Sequence, residues 1–500
     1  MSHNCNAEEV LNAMDTSMMD NSAWGMQALD AERQHRRDFL SANAAKRQRW
    51  IDANPYYYGK VAKLLSHVIE PDHSVLHLRC ETGHLLSAMH PSRGVGVEIS
   101  QPMVDIARER YPELSFATAD PETYQGEGPF DYVLVSNISD TVDVQGLLAN
   151  AAAHCHHRSR LVIYTYNYLW QPVLEWASRR GLRMPTQEPN WLSPGDLNCF
   201  LNLAGFELVR TFRVLLCPKP VPVLSWLANQ VLAKIPGLSR LCMTSVLVAR
   251  PLAVDRPRDV KVSVVVPCKN EEGNIGDAVA RIPEMGRGTE ILFCDDKSTD
   301  GTAEAVRQAI RDNPGRDIRL VDGPGICKAQ NVWTGFRAAT GDVLMILDAD
   351  LTVMPEELPL FLKALLAGTG EFINGSRMVY PMANCAMKYG NFVGNKIFSI
   401  MFSLLFGHFI KDTLCGTKVL WRDDFKRIER YIGSWGMRDL WGDYDLLFGA
   451  TRLNLVIHDL PVHYQERLYG VTKMRRVFWN GLRMLRMWLS AWRTLRQGYF

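Results

Sequence analysis

Gly341-Asp-Val-Leu-Met-Ile-Leu-Asp-Ala-Asp350 decides the fold of the second half of this chain. Five consecutive apolar residues, Val343–Leu347, suit a strand buried on both faces, and the run empties into two carboxylates, Asp348 and Asp350, spaced i, i+2. Oxygen ligands at a strand end suit one hard divalent cation, Mg²⁺ or Mn²⁺, held against a diphosphate. Alone, an Asp-x-Asp reads as a solvated acidic turn. Here its neighbours argue for the cation.

Upstream, Val262–Val266 is a second β-branched run, followed by Pro267 and the polar stretch Lys269-Asn270-Glu271-Glu272, with a helix expected from about Ile275. Glu290–Cys294 is a third strand, ending in Asp295-Asp296-Lys297-Ser298-Thr299-Asp300-Gly301-Thr302. Strands alternating with helices, and carboxylates at the strand ends, indicate an α/β sheet whose ligand sits beyond its carboxyl edge.

In this order the segments resemble the family 2 glycosyltransferases of GT-A fold, and among them those acting on polyprenyl and dolichyl phosphates. The resemblance covers about Lys261–Lys473, with Lys269 in place of the usual aromatic and Lys297 in place of the usual Gly. It implies a nucleotide-sugar site made by Pro267, Asn270, Glu271, Asp296, Ser298, Lys328 and Asp348, with the metal on Asp348 and Asp350. Lys328, Ala329, Asn331 and Gly335 match the segment before the metal strand. Gly375-Ser376-Arg377, Asp412–Lys418 with Arg422, and Arg467–Lys473 resemble acceptor-side segments. The resemblance therefore assigns the acceptor phosphate to Arg377, Arg422, Arg467 and Lys473. Trp441–Leu447 corresponds to the segment of the catalytic carboxylate, which is Asp443 or Asp445, with Asp443 favoured; Arg377 and Arg467 complete the catalytic set.

The implied reaction is an inverting transfer from a nucleotide-diphosphate sugar to a polyprenyl (dolichyl or undecaprenyl) phosphate at the cytoplasmic face of the membrane. One alternative acceptor is a glycan hydroxyl, for which Asp443 would act as general base. Another alternative makes the chain a bifunctional methyltransferase and glycosyltransferase.

At 500 residues the chain has room for two or three domains. A formal net charge of +2 argues against a nucleic-acid partner. Eleven scattered cysteines without a Cys-x-x-Cys pair suit reduced thiols. The N-terminus has no signal-peptide pattern, and no stretch reaches the roughly 20 apolar residues of a bilayer span. Ile397–Ile410 lacks Asp, Glu, Lys and Arg over fourteen residues, which suits a buried or an interfacial helix. From Arg467 onward there are eight Lys or Arg and no Asp or Glu. Residues 474–500 read as a basic amphipathic helix, with Phe478, Leu482, Leu485, Trp488, Leu489 and Trp492 on one arc. Such a helix belongs in a membrane interface, which places the protein peripherally on the inner face. Docking on the protein's own core is the competing reading.

Residues 1–50 read as a polar helical segment, with Met1–Ser22 lacking order. In 51–250, Ser74–Gly83 resembles the first strand and turn of class I methyltransferases, and Gly94–Glu98, Ala119-Asp120 and Phe130–Ser136 resemble later segments of that family. The resemblance implies S-adenosylmethionine on Gly83, Glu98 and Asp120. Against it, His77 replaces an acid, and Arg79 and Glu81 replace glycines in a turn where side chains crowd the ligand. A scaffold that has lost the cofactor is expected. Residues 251–260 read as the linker, making the whole two doubly wound α/β domains and a terminal helix.

Overall fold

A computed structural model describes residues 7–185, 190, 192–235, 237–252, 256–380, 389–467 and 477–497; of these, the side chains of 7–26, 389–392, 477–478 and 496–497 are not described. The chain divides into two compact units between Val254 and Asp255.

The N-terminal unit is built on β1 (Ser74–Leu78), β2 (Arg93–Glu98), β3 (Ser115–Thr118), β4 (Phe130–Ser136), β5 (Cys155–Tyr166), β6 (Phe206–Val214) and β7 (Thr244–Pro251). Their order is β3-β2-β1-β4-β5-β7-β6, parallel from β3 to β5, with β7 antiparallel to both neighbours. That is the methyltransferase-like sheet. Its central strands are apolar throughout because they are covered on both faces. Val75, Leu134 and Val162 feed one core, while Leu76, Val133 and Leu161 feed the other. The helix Ala7–Asp52 takes in most of the stretch expected to lack order, of which residues 1–6 lie outside the described residues. It packs Leu40 and Ala44 against Ile99 and Met103.

The C-terminal unit contains β8 (Lys261–Cys268), β9 (Gly288–Asp295), β10 (Asp317–Asp322), β11 (Val343–Ile346), β12 (Phe372–Ser376), β13 (Lys418–Trp421) and β14 (Ile457–Pro461). The order is β10-β9-β8-β11-β13-β12-β14. β10, β9, β8 and β11 are parallel, and β13 runs antiparallel to β11 and β12. This is a GT-A sheet. The four parallel strands all bring their carboxyl ends to one edge. β13 reaches that edge with its amino end instead.

The terminal helix Val477–Gln497 docks on this unit through Met484, Met487, Ala491 and Leu495, which join the core of Phe402, Tyr444 and Phe448. Trp488 Nε1 donates to the Met401 carbonyl at 2.7 Å. The docked stripe lies beside the arc expected from sequence and leaves Trp479, Leu485 and Leu489 of that helix exposed. The helix Tyr389–Phe406 behaves alike, burying Phe402, Leu405 and Phe406 while exposing Ile397, Ile400 and Leu404. Among the described residues, no helix is long and apolar enough to cross a membrane.

Candidate active site

β11 delivers Asp348 and Asp350 to the open edge of the C-terminal sheet, where each carboxylate already faces a cation. Lys328 Nζ, at the start of the helix Lys328–Ala338, lies 2.5 Å from Asp348, and Arg467 Nη2 lies 2.7 Å from Asp350. Arg467 reaches that position because its strand end is tied to the loop after β11: Gln465 N–H donates to the Thr352 carbonyl at 2.8 Å. Burial opposes charge on Lys328, but Asp348, Asp443 and Asp350 outweigh it and hold its ammonium above the ordinary range. Burial likewise opposes charge on Asp348, yet Lys328, Lys418 and Arg377 hold its carboxyl below the usual value.

The donor set fits a divalent cation. Two carboxylates converge where the protein itself has placed positive charge, and Mg²⁺ commonly takes one or two carboxylates with phosphate and water for the rest. Among the described residues no cluster of three His, Cys, Asp or Glu could hold a metal, so further ligands would have to come from elsewhere.

The structure separates the two candidate carboxylates. Asp443 Oδ1 accepts from Lys418 Nζ at 2.6 Å, within the charge network of Lys328 and Asp348. Asp445 donates its backbone N–H to Asp439 at 3.1 Å, and burial with Asp439 pushes its carboxyl up to about 7, so its charge is set by Asp439 rather than by the cations of the cluster.

Lys418 was not assigned from sequence, although it is fully buried between Asp443 and the Cys415 carbonyl. Its position follows from β13 running backwards: the first residue of that strand, not the last, meets the ligand edge. The same reversal corrects Arg422. That residue follows the far end of β13, donates from Nη1 to the Thr340 carbonyl at 3.0 Å, and lies at the opposite edge of the sheet from Asp348. It cannot meet an acceptor phosphate there. Arg377 stays with the cluster, but its fork is committed to Asp412 at 2.7 and 3.0 Å. Lys473 lies outside the described residues.

The nucleotide-side residues collect at the ends of β8 and β9. Pro267 pairs with Cys294. Asn270, at φ 55°, donates its N–H to Ser298 Oγ at 2.9 Å and accepts from Thr299 N–H at 2.8 Å. Glu271 accepts from Asn274 at 2.8 Å, and Asp296 accepts from Gly325 N–H at 2.7 Å. Three polar loops thus cross-link one another at this edge.

The corresponding edge of the N-terminal unit does not fit S-adenosylmethionine. The turn after β1 keeps the left-handed backbone of a glycine turn, with φ 64° at Arg79, 50° at Glu81 and 79° at Gly83. The first two side chains fill the space that glycine would leave. Glu81 is gripped by buried Arg47 of the N-terminal helix, Nε to Oε2 at 2.7 Å, and Arg79 donates to Asp140 at 2.9 Å and to Thr141 at 2.8 Å. Glu98 is buried and accepts from the N–H groups of Glu81 at 3.0 Å and Ile99 at 2.9 Å. Burial, against the pull of Arg79, raises its carboxyl. Asp120 faces Arg33 at 3.2 Å. Each candidate acid is already answered by the chain. A small cleft remains beside this plug, lined by Arg47, Glu81, Asn137, Tyr166 and Asn190.

Comparisons with known proteins follow this division. The model of the family Glycosyl transferase family 2 matches residues 263–428. The dolichol-phosphate mannosyltransferase of Pyrococcus furiosus is 37% identical over 122 residues, 24% of this chain and 34% of that protein. The undecaprenyl-phosphate 4-deoxy-4-formamido-L-arabinose transferase of Aeromonas hydrophila is 31% identical over 115 residues, 22% and 35% of the two chains. The chain thus spans about a third of the length of these relatives. Among solved structures, glucosyl-3-phosphoglycerate synthase of Mycobacterium tuberculosis matches at 17% identity and TM-score 0.35, covering 46% of this chain and 80% of that one. Magnesium protoporphyrin IX methyltransferase of Synechocystis matches at 17% and 0.33, covering 44% and 99%. At those scores the fold assignment rests on strand order.

Proposed function

We propose that the C-terminal unit is an inverting glycosyltransferase that moves a sugar from a nucleoside-diphosphate donor to a polyprenyl phosphate at the cytoplasmic face of a membrane. The observation that carries the reading is the cluster at the end of β11: Asp348, Asp350 and Asp443 interleaved with Lys328, Lys418 and Arg467. In the reaction the bond from the anomeric carbon to the donor diphosphate breaks, and an acceptor phosphate oxygen forms the new bond from the opposite face. The nucleoside diphosphate departs with the electron pair. A divalent cation on Asp348 and Asp350 supplies positive charge to that leaving group.

The chain's own residues do the rest. Asn270, Glu271, Asp296 and Ser298 orient the nucleoside. Lys328 adds a second positive charge beside the diphosphate. Arg467 is a cation within reach of both the metal carboxylates and an incoming phosphate. Asp443, held by Lys418, anchors the cations of the site and leaves the phosphate itself to Lys328 and Arg467. A phosphate acceptor is largely ionised near neutrality, with a second pKa of about 6, so it needs little help from a base. Asp443 already accepts from an ammonium, which suits holding that cation better than removing a proton and favours the phosphate over a glycan hydroxyl. The exposed apolar stripes of the helices Tyr389–Phe406 and Val477–Gln497, with Arg483 and Arg486 beside them, support a peripheral membrane contact. The N-terminal unit is read as a scaffold without S-adenosylmethionine.

The test is incubation of the full chain with polyprenyl phosphate, Mn²⁺ or Mg²⁺, and a panel of radiolabelled nucleotide sugars. Label is expected in the organic phase as a lipid-linked monosaccharide. Label found only on soluble glycan would replace this acceptor with a hydroxyl.

A further inference from the structure

The stretch between β6 and β7 turns its apolar side chains outward. From Leu224 to Lys234 the backbone is helical, through an α-turn, a π-turn and a 3-10 turn. Facing the protein are Ser225, Ala228, Asn229 and Ala233, which are small or polar. Facing outward are Leu224, Trp226, Leu227 and Val231, preceded by Val223 at 78% exposure. A surface helix of a soluble domain buries its large apolar face. This one is inverted.

The inversion is fixed by the fold. Buried Asn229 accepts from Cys217 N–H at 2.9 Å and donates to the Cys217 carbonyl at 2.8 Å and to Tyr56 at 3.1 Å. The amide thus closes the segment onto its own entry strand, and rotating the apolar side chains inward would break three hydrogen bonds at a buried group. The outward face also continues beyond the segment. Exposed Leu238 and Leu241 follow it, and Trp170 Nε1 donates to the Leu241 carbonyl at 2.7 Å. That bond joins a second exposed apolar strip, Tyr168, Leu169, Val173 and Trp176.

Charge identifies the occupant. From Leu208 to Val254 there is no Asp or Glu; Lys219 and Arg240 are exposed and Arg213 and Lys234 half-buried, whereas Arg250 is buried against Glu207. The ammonium groups of Lys60 and Lys234 are held below their ordinary range by burial and by like charge, Lys63 acting on Lys60 and Lys60 on Lys234. Burial and Arg240 lower Arg213 in the same way. A broad apolar face carrying tryptophans, with these cations in its main segment and Glu175 of the second strip answered by Arg179 at 3.9 Å, matches an anionic lipid surface.

We propose that the N-terminal unit is a membrane-binding unit that seats Val223–Val231 and the strip around Trp176 in the interface of an anionic bilayer. The inference stands on this unit alone and does not need the glycosyl-transfer reading.

Flotation of the full chain with phosphatidylcholine vesicles, with and without phosphatidylglycerol, tests it. L224Q/W226Q/L227Q is expected to lower partitioning onto anionic vesicles roughly tenfold or more, and W479Q/L485Q/L489Q in the terminal helix serves as the independent comparison. Binding equal to the unaltered chain in the first variant overturns the proposal, whatever the second does. A first variant that binds vesicles normally but changes from dimer to monomer in solution also overturns it, in favour of a second copy of the chain. Where the triple variant fails to fold, W226F is used with acyl-brominated lipid. Reduced tryptophan quenching relative to the unaltered chain supports the proposal; unchanged quenching contradicts it.

Discussion

The two sheets present the same kind of edge and use it differently. In both, parallel strands end in carboxylates and basic side chains answer them. In the N-terminal unit the answering residues are Arg33 and Arg47 of one long helix, and Arg47 is only 4% exposed. In the C-terminal unit they are Lys328 and Arg467, each about one-third exposed, on a loop-borne edge that a ligand can reach. A buried pair is part of the packing, and separating it strands a charge. A partly exposed cation is exchangeable, because an incoming phosphate can take it over. The first edge buries its main answering cation, Arg47, and the second leaves Lys328 and Arg467 partly open.

The largest effect that sharpens this contrast is on activity. Asp350→Ala is expected to lower sugar transfer by roughly a thousandfold or more while shifting the unfolding midpoint little, since it removes a charge from an open edge rather than a packing group. Transfer assays and thermal unfolding on the same preparation check both parts. Undiminished metal-dependent transfer would remove Asp350 from the metal site.

Stability should respond in the opposite order. Glu81→Gln leaves Arg47 buried without its anion and is expected to cost about 3 kcal/mol in denaturant titration, whereas Asp348→Asn, whose partner Lys328 is one-third exposed, should cost less. Equal costs would mean that the two edges are equally sealed.

The two units should also differ in pH dependence. Burial holds His77 and His84 at about 3, against about 6.5 in an unfolded chain. Both are neutral in the fold, so their contribution is full above about pH 6.5 and is lost as pH falls towards 3. Asp445 behaves the other way. At about 7, against about 4 unfolded, it binds its proton more tightly in the fold, so stability is full below about pH 4 and is lost as pH rises through 7. Calorimetric scans from pH 5 to 8 should show the N-terminal transition rising and the C-terminal one falling. Asp445→Asn should flatten the second, by up to about 4 kcal/mol at the alkaline end.

What could be read from sequence was local. The run Val343–Leu347 and its carboxylates lie within ten residues, and so do the turns after β8 and β9. Strand direction was not local: nothing in Lys418–Arg422 says that β13 runs backwards, so the buried Lys418 was passed over and Arg422 was placed at the wrong edge. The seal of the N-terminal edge joins Arg47 to Glu81 and Arg33 to Glu122, pairs 34 and 89 residues apart, which no periodicity reveals. Arg79 and Glu81 did mark a turn filled by side chains, because glycine positions are legible one residue at a time. In the terminal helix the apolar arc was correctly seen as amphipathic. The buried stripe is its Met484, Met487, Ala491 and Leu495 side, with Trp488 and Trp492 packed at its margin.

Calorimetry of the full chain with each ligand in turn tests the contrast most directly. With Mn²⁺ and the matching nucleoside diphosphate at about 100 times its dissociation constant, the C-terminal transition should gain about 2.7 kcal/mol and the N-terminal one nothing. S-adenosylmethionine at millimolar concentration should move neither. A shift of the N-terminal transition by S-adenosylmethionine, or no response of the C-terminal one to any nucleotide with metal, would contradict the account.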